Sequence, residues 1–571
     1  MRSLILTSCI VLAPALLGAQ AEQSAQSAVV PQPSTKLPLK HAPQPTTPAI
    51  TAADLMTRLY IFADDSMQGR EAGTIGNVKG TDYIAAEVKR LGLTPAGDSG
   101  GYFQTLPFKT RTTDTTSTVT AGGAAMTFGI DWAAAGPELA SGSDVPVVYG
   151  GVLGDSASMI SADQTAGKVV VFGFGPNSLR FFGSVSRLTP NAIATALVLP
   201  QQFLPFVARP TQFVDNPAAQ PMRRATIFFT PASMAKLFDT PLAQLKAGDA
   251  GKPLSFTIRS KTEPVPFPAR NVVAILPGSD PKLKGEYVAV GAHNDHVGFN
   301  HAPVDHDSLR IFNHIVRPGG AENQGARATP EQQTQVNTLL ADWRSSHPGT
   351  SRPDSIFNGA DDDGSGSVSV LEIAEKLVAQ KPRPKRSVLF VWHVGEEKGL
   401  LGSAYFTDHP TVPRDSIVAQ LNIDMVGRGD AWDMTGTTKE GAEIHGKSNY
   451  LQVVGSRRLS TELGDIIESV NTEGKHGLAL DYAIDANGHP ANIYCRSDHY
   501  EYARYGIPIA FFTTGGHSDY HQVTDEPEYI DYDHMATVDN FIADLAMRVA
   551  NLDHRVVVDH PKPDPTMACR Q

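Results

Sequence analysis

Five runs of apolar residues, each about the length of one β-strand, alternate with helical patterns in the second half of the chain. They cover residues 272–276, 287–292, 387–392, 417–423 and 507–512. Several are apolar without interruption, as is typical of strands that are covered on both faces of a sheet. Alternation of such strands with helices predicts the α/β fold class, with a mostly parallel central sheet flanked by helices.

Carboxylates and imidazoles stand where these strands are expected to end. They are His293 and Asp295 after the second run, Glu396 and Glu397 after the third, Asp424 after the fourth, His521 in the loop after the fifth, and the triplet 361–363 at the start of a helix. The carboxyl ends of parallel strands meet at one edge of a sheet, where such sheets bind ligands. Crowded carboxylates repel one another unless a cation neutralises them. Histidine and carboxylate without cysteine suit zinc or another divalent metal in a catalytic site.

The acidic triplet also has an interpretation as a calcium-binding loop. Residues 361–366 followed by Glu372 satisfy a loose form of that motif. The motif needs a helix that leads into the loop, and Pro353, Asn358 and Gly359 disfavour one. No paired second loop is visible in the sequence. The calcium interpretation is therefore the weaker of the two.

Length, charge and cysteine content exclude several classes of protein. A chain of 571 residues is too long for one hydrophobic core, so two or more domains are expected. A formal charge of −12 gives no basic surface for nucleic acid. Cys495 and Cys569 could pair in an oxidising compartment, but two cysteines do not form a disulfide framework.

The first residues have the pattern of a secretion signal. Arg2 precedes an apolar stretch over residues 4–17, and residues 19–21 have the small-x-small form of a cleavage site. We predict a signal peptide over residues 1–21, cleaved after Ala21, and a secreted or periplasmic protein. The apolar stretch is short of the roughly 20 residues that a membrane span needs, so no stable membrane insertion is expected after cleavage.

The rest of the chain divides into four parts by its composition. Residues 22–51 are rich in Gln, Pro, Thr and Ala and predict a disordered linker. Residues 52–110 are assigned to the α/β domain, and residues 111–265, with short apolar runs between glycines, to an inserted, mainly β domain. Residues 266–571 complete the α/β domain. They include a long insertion at 300–356, which would be either a lid or surface decoration.

Several motifs of this chain resemble those of the M28 zinc peptidases, the group of bacterial leucyl aminopeptidases and related glutamate carboxypeptidases. The motifs are Gly291–Asp295, Asn358–Gly366, Gly395–Ser403, Asn422–Met425 and Asp519–His521, in the order of that family, and the similarity also covers Asp64–Leu106. The segment 111–265 resembles a protease-associated domain, which is a common insertion in the family. The resemblance implies the zinc-exopeptidase fold.

The resemblance also implies a role for each matching residue. His293 and Asp424 would hold one Zn²⁺, Glu397 and His521 a second, and Asp362 would bridge the two. Glu396 would be the general base, and Asp295 would accept a hydrogen bond from the free ring nitrogen of His293. Ser497, Asp498, His499 and Tyr520 would lie near the substrate.

A metallo-exopeptidase that acts on peptide substrates is therefore expected, with an aminopeptidase favoured. The alternatives are a glutamate-carboxypeptidase-like hydrolase, in which Arg496 or Arg504 would bind the terminal carboxylate, a one-zinc glutaminyl cyclase, and a non-catalytic receptor-like relative. All five ligand positions are retained, which favours two-metal hydrolysis. The preferred terminal residue and the oligomeric state do not follow from the sequence.

Overall fold

The computed structural model describes residues 37–571, apart from residues 138, 156, 176–177, 179–184, 216–223, 350, 566 and 568 and the side chains of residues 186, 187, 300 and 301. The predicted signal peptide, residues 1–21, and the first part of the predicted linker, residues 22–36, lie outside the described residues. Residues Leu37–Gln571 form one unit by their contacts.

The strands of this unit belong mainly to two large sheets. They are β1 (Thr94–Pro95), β2 (Phe103–Thr105), β3 (Phe108–Thr113), β4 (Thr118–Ala121), β5 (Ala124–Met126), β6 (Trp132–Ala135), β7 (Leu139–Val152), β8 (Val169–Gly173), β9 (Ala194–Val198), β10 (Thr211–Val214), β11 (Thr226–Phe229), β12 (Ala250–Pro264), β13 (Arg270–Leu276), β14 (Tyr287–His293), β15 (Phe299–Asp305), β16 (Pro353–Ile356), β17 (Ser387–His393), β18 (Ile417–Ile423), β19 (Met434–Thr437), β20 (Glu443–His445), β21 (Tyr450–Val454), β22 (Ala479–Asp481) and β23 (Ile509–Thr513).

The α-helices lie mostly in the first and last parts of the unit. They are α1 (Ala52–Phe62), α2 (Ile75–Arg90), α3 (Val185–Leu188), α4 (Leu204–Val207), α5 (Met234–Leu237), α6 (His306–Val316), α7 (Pro330–Ser346), α8 (Gly366–Ala379), α9 (Leu401–Asp408), α10 (Thr461–Glu473), α11 (His499–Ala503) and α12 (Tyr532–Ala550). None of the helices in the described residues is long and apolar enough to cross a membrane.

The first large sheet carries the five apolar runs singled out in the sequence. Its nine strands follow the order β1-β13-β17-β14-β18-β23-β21-β22, with β2 paired to β13. The central strands β17, β14, β18 and β23 are parallel, whereas β13 and β21 run antiparallel beside them. The predicted strands agree with the observed bounds to within two residues, and the α/β fold class is confirmed.

Helices cover both faces of this sheet. On one face α1, α2, α8 and α12 form a continuous core with the strands. In α12, Asp531 caps the helix by accepting a hydrogen bond from the backbone of His534, and Met535, Val538 and Ile542 recur at helical spacing and are fully buried. On the other face α9 and α11 contribute a second core. Strands covered in this way can be apolar on both sides, which explains their uninterrupted apolar runs.

The second large sheet is built from residues 108–264. Its order is β10-β3-β12-β7-β8-β9-β11-β6, with β4 and β5 at one side. Apolar runs over residues 145–149, 169–173 and 226–229 form β8 and β11 and part of β7. This segment has its own apolar clusters, separate from those of the first sheet. Its assignment as a protease-associated domain stays a prediction.

Residues 37–51 differ from the disordered linker that the sequence predicts. They have no regular secondary structure, but they lie against the first core. Ile50 is buried, and Thr46 donates a hydrogen bond to Glu375 at 2.8 Å. The prediction was wrong for these residues because polar, Pro-rich backbone can pack along a surface where side chains satisfy its polar groups.

The insertion between the first and second site motifs folds as a small layer of its own. It consists of β15, α6, α7 and β16, with β15 and β16 paired antiparallel. The loop after α6 contacts the loop that carries His521: the Ala321 N–H donates to the Tyr520 carbonyl at 3.0 Å. Elsewhere in the unit, a disulfide between Cys495 and Cys569 joins the C-terminal tail to the segment that precedes α11.

Candidate metal centre

Two groups of metal-ligating side chains lie at the carboxyl edge of the central strands. The first group is His296, Asp362, Glu397 and His521, and the second group is His293, Glu396 and Asp424. Within each group the ligand atoms lie within 4.8 Å of one another. The structure thus brings together the five residues for which the sequence predicts metal binding, and adds Glu396 and His296 to them.

Asp362 stands between the two groups, with one carboxylate oxygen turned towards each. Its Oδ1 lies 3.2 Å from His293 Nε2, and its Oδ2 lies 2.9 Å from His521 Nε2. Asp424 Oδ1 lies 3.6 Å from His293 Nε2, and Glu397 Oε2 lies 3.0 Å from His521 Nε2. This is the geometry expected of a carboxylate that bridges two cations.

Hydrogen bonds to its backbone fix the loop that carries Asp362. Asp525 accepts hydrogen bonds from the N–H groups of Asp361 and Asp362, at 3.0 and 3.1 Å. Asp363 accepts from the N–H of His293 at 3.0 Å, so its carboxylate ties the loop to the end of β14. Asp362 is thereby left as the member of the triplet that faces the two groups.

The calcium-loop interpretation of this segment is wrong. The carboxylate of Asp361 accepts a hydrogen bond from the Gly427 N–H at 2.6 Å, and that of Asp363 accepts from the Gly366 N–H at 2.8 Å. Glu372 lies inside α8 and forms an ion pair with Arg58. The carboxylates that a calcium loop would direct at one ion therefore point to different partners.

The adjacent residues Glu396 and Glu397 diverge into different groups. They follow β17 in a turn at Gly395, whose φ of 73° is readily adopted only by glycine. Asp295 Oδ1 accepts hydrogen bonds from the N–H groups of Gly395 and Glu396, at 2.8 and 3.2 Å. Glu397 then faces His521, whereas Glu396 Oε2 lies 4.0 Å from His293 Nε2.

This role of Asp295 corrects the expectation from the resemblance. The ring nitrogen Nδ1 of His293 contacts the backbone carbonyl of Asp295 at 3.1 Å, while the carboxylate oxygen lies 3.8 Å away. The Asp295 carboxylate instead accepts the hydrogen bonds from the turn at Gly395. Burial raises the pKa of Asp295 to about 7, although the nearby His293 opposes that shift.

The four residues expected near the substrate occupy different places. Ser497 donates a hydrogen bond to Asp424 Oδ2 at 2.7 Å and therefore orients a member of the second group. The ring of Tyr520 stacks on His521 with centroids 4.1 Å apart. Asp498 and His499 are fully buried, and His499 stacks on Phe511. Their place near the substrate stays a prediction.

Hydrogen bonding within the two groups fits bound cations. The Nε2 atoms of His293, His296 and His521 are buried and have no hydrogen-bond partner, and neither has Asp362 Oδ2. His521 Nε2 and Asp362 Oδ2 are only 2.9 Å apart, yet they do not point at each other as a donor and an acceptor. Unpartnered buried polar atoms are costly unless a further group satisfies them. Imidazole nitrogens and carboxylate oxygens are ligands that Zn²⁺ accepts.

The electrostatics of the metal-free groups also favour cations. Burial, together with repulsion from Asp424 and Glu397, raises the pKa of Glu396 well above its ordinary value. Burial would lower the pKa of His521, but Glu397 and Asp362 outweigh it and raise this pKa to about 11. The crowded carboxylates therefore hold protons on their neighbours, and divalent cations would replace those protons.

His296 is the member of these groups that sequence reasoning missed. Its Nδ1 lies 2.8 Å from Glu397 Oε1 and 3.7 Å from Asp362 Oδ2, and its side chain is fully buried. The signal was its position three residues after His293, in the loop that follows β14.

Known proteins are similar to this chain in the segment that carries the two groups. The model of peptidase family M28 matches residues 271–546, which include every member of the two groups. The curated leucine aminopeptidase 1 of Coccidioides posadasii is 32% identical over 186 residues, 31% of this chain and 43% of that protein. Leupeptin-inactivating enzyme 1 of Streptomyces exfoliatus is 37% identical over 97 residues, 16% of this chain and 22% of that protein.

The chain therefore spans less than half the length of the curated relatives that it matches here. Among solved structures, an aminopeptidase from Aneurinibacillus sp. strain AM-1 superposes with a TM-score of 0.49 and 15% identity. That superposition covers 90% of this chain and 97% of the other.

Proposed function

We propose that this protein is a zinc-dependent exopeptidase that removes N-terminal residues from peptides. The premise is that residues 271–546 match the model of peptidase family M28. The observation that carries the proposal is Asp362, whose two oxygens lie 3.2 Å from His293 Nε2 and 2.9 Å from His521 Nε2. A carboxylate shared in this way joins two metal positions into one centre. The second group would hold one Zn²⁺ and the first group another, giving two per chain.

When bound, the two zinc ions would supply the positive charge that acidifies an attacking water and polarises the scissile carbonyl. Glu396 is the proposed general base. It lies in the second group but 4.0 Å from His293 Nε2, further than Asp424 and Asp362. It would accept the proton of the water and return it to the leaving amine.

The neighbours of Glu396 fix its position. Asp295 accepts a hydrogen bond from the Glu396 N–H at 3.2 Å and so holds the backbone of the turn. Ser497 donates to Asp424 and holds the opposite side of the second group. Tyr520, stacked on His521, lies beside the first group and is the proposed contact of the substrate.

Replacing Glu396 tests the assignment of the base. Glu396→Gln keeps the size of the side chain but cannot accept the proton, so we expect kcat to fall by about 10²–10⁴-fold. Zinc content, measured by mass spectrometry of dialysed protein, should stay equal to that of the unmodified protein. Glu440→Gln, at an exposed loop position, is the matched control and should leave kcat unchanged. Normal turnover by Glu396→Gln would refute the role.

Aminopeptidase action is preferred to carboxypeptidase action because two candidate cations are already paired. Arg504 forms an ion pair with Asp408 at 2.5 Å, and Arg496 forms one with Glu322 at 2.5 Å. Each guanidinium therefore has a carboxylate partner within this chain, with which a terminal carboxylate of the substrate would have to compete. We expect aminoacyl anilides to be hydrolysed and N-blocked dipeptides to be left intact, with a chelator abolishing the activity. Cleavage of the blocked substrates would instead support the carboxypeptidase alternative.

The same samples distinguish the remaining alternatives. A glutaminyl cyclase would release ammonia from an N-terminal glutamine peptide and leave its peptide bonds intact. A receptor-like protein would turn over neither kind of substrate.

The signal-like residues 1–21 support the further proposal that the protein acts outside the cytoplasm. N-terminal sequencing of the mature protein tests it, with Glu22 expected as the first residue.

A further inference from the structure

A third group of metal-ligating side chains lies away from the two groups described above. It consists of His306 at the start of α6, Asp354 in β16 and Glu526 in the segment after His521. Their ligand atoms lie within 4.8 Å of one another. The group therefore joins both ends of the 300–356 insertion to the segment that follows the His521 loop.

The imidazole of His306 is held in an orientation that suits a ligand. Its side chain is fully buried. The Nε2 atom lies 3.1 Å from the hydroxyl of Tyr529, and Nδ1 lies 3.2 Å from Asp354 Oδ2. When Nε2 carries the proton and donates it to Tyr529, the lone pair of Nδ1 points towards Asp354. Metal-binding histidines commonly have their second nitrogen fixed in this way.

Asn358 provides an independent observation at the same place. Its side chain is buried, and its Nδ2 donates hydrogen bonds to Glu526 Oε1 at 2.9 Å and to Asp65 Oδ1 at 2.8 Å. Its Oδ1 is buried and has no hydrogen-bond partner. An amide oxygen left unpartnered next to carboxylates lacks the donor or cation that would normally satisfy it.

A cavity gives access to this group from solvent. Its volume is about 370 Å³, and Asp354, Asn358 and Glu526 are among its lining residues. A hydrated ion could enter through it, and waters in it could complete the coordination shell.

The charges around Glu526 are not balanced by the basic side chains nearby. Burial, with repulsion from Glu528, Asp354 and Asp65, raises the pKa of Glu526 well above its ordinary value. Lys40, His41 and Arg352 line the same cavity, but Arg352 forms an ion pair with Glu528 at 2.9 Å, and none of the three is among the main influences on the pKa of Glu526. A cation among His306, Asp354 and Glu526 would remove this imbalance.

We propose that His306, Asp354 and Glu526 form a third divalent-cation site. One imidazole nitrogen among oxygen ligands favours Zn²⁺ or Mn²⁺ over Ca²⁺, which prefers oxygen alone. The site has a structural role. It fastens the insertion to the segment five residues after His521.

Metal analysis of isosteric variants tests the proposal. Asp354→Asn and Glu526→Gln keep the shape of the group but remove one anionic ligand each. After equilibration with Zn²⁺ and dialysis, we expect each variant to hold about one equivalent less zinc than the unmodified protein, by mass spectrometry. Because the result is a difference, it does not depend on how many ions the other two groups hold. Glu528→Gln, which removes a carboxylate from the same cavity outside the group, is the matched control and should lose none.

An equal zinc content in both variants and the unmodified protein would overturn the proposal. Should the variants fail to fold, the unmodified protein gives a second test. Crystals grown with Zn²⁺ should show an anomalous-difference peak between His306 Nδ1 and the carboxylates of Asp354 and Glu526. The absence of a peak at that position would equally overturn the site.

Discussion

The position of His296 is compatible with two roles, that of a metal ligand and that of a residue that orients the ligand Glu397. Its Nδ1 lies 2.8 Å from Glu397 Oε1, and its Nε2 is buried without a partner. In either role it holds Glu397 in the first group. Residues that orient metal ligands typically contribute 10–100-fold to metal affinity.

We therefore predict that His296→Ala weakens zinc binding in the first group by about 10–100-fold. The second group should keep its affinity, so a competition titration with a chromophoric chelator should resolve one weakened and one unchanged site. His489→Ala removes another buried imidazole, which contacts the Thr437 carbonyl far from both groups in sequence, and should leave both affinities unchanged. Equal loss in the two variants would contradict a specific role for His296.

The pKa of His521 predicts how zinc binding depends on pH. In the metal-free protein this pKa is raised from 6.5 to about 11, because Glu397 and Asp362 outweigh the effect of burial. The stability that this raised pKa contributes is fully present below about pH 6.5 and is lost as the pH rises towards 11. At pH 7–8 the imidazolium must lose its proton before Nε2 can bind zinc, so the apparent zinc affinity should increase with pH in this range.

Calorimetry in two buffers of different ionisation enthalpy measures the protons that are released. At pH 7 we expect at least one proton per chain to leave when zinc binds to the metal-free protein. A heat of binding that is the same in both buffers would mean that no proton leaves, and would contradict the prediction.

At the scale of elements, a buried arginine connects α1 to two other helices. Arg58 in α1 forms ion pairs with Glu87 of α2 and with Glu372 and Glu375 of α8, and its side chain is 1% exposed. Arg90 in α2 contacts Glu87 and Glu375 as well, but its side chain is 46% exposed. Solvent screens the second arginine but not the first.

Removing each arginine in turn should separate these two cases. Arg58→Ala leaves buried carboxylates without a partner, and we expect it to lower the free energy of unfolding by about 3–5 kcal/mol. Arg90→Ala should lower it by about 0–1 kcal/mol. Urea unfolding followed by circular dichroism measures both. Similar losses in the two variants would show that burial does not decide the contribution of these ion pairs.

The elements that the sequence predicts well are those fixed by local pattern. Runs of apolar residues gave β14, β17 and β18 to within one residue, because a strand covered on both faces leaves no room for polar side chains. Convergence of His293, Asp362 and His521 also followed, since parallel strands end at a common edge. Contacts between distant segments did not follow. Neither the packing of residues 37–51 on the core nor the Asp295 carboxylate at the Gly395 turn has a signature in local sequence.

At the scale of the whole molecule, the insertion and the His521 loop form one wall beside the metal centre. Arg428 holds Asp519 of that loop at 3.0 Å, and Arg310 of α6 approaches the same carboxylate to 3.5 Å. Asn313 of α6 donates to Gln522 at 3.2 Å. The insertion therefore packs against the loop that carries His521, and whether it acts as a lid or as surface decoration stays a prediction.

Gly320 lies where the insertion contacts this loop. Its φ is +54°, and a Cβ atom there would stand 2.6 Å from the Tyr520 carbonyl oxygen and 2.9 Å from that of His517. Both neighbours are backbone atoms that cannot rotate away. An alanine would therefore combine left-handed backbone strain with a steric clash, and would force the two segments apart.

We predict that Gly320→Ala displaces His521 and lowers both the zinc affinity of the first group and kcat/KM by about 10-fold, which corresponds to about 1.4 kcal/mol. The second group, which takes no ligand from this loop, should keep its zinc. Gly325→Ala is the matched control, because a Cβ at Gly325 meets nothing within 4 Å in the described structure. Zinc titration and hydrolysis of a leucyl anilide measure the two effects. If Gly320→Ala behaved like Gly325→Ala, the insertion would not hold His521 in place. A contact that positions His521 would transmit the clash at Gly320 to the first group and lower its zinc affinity.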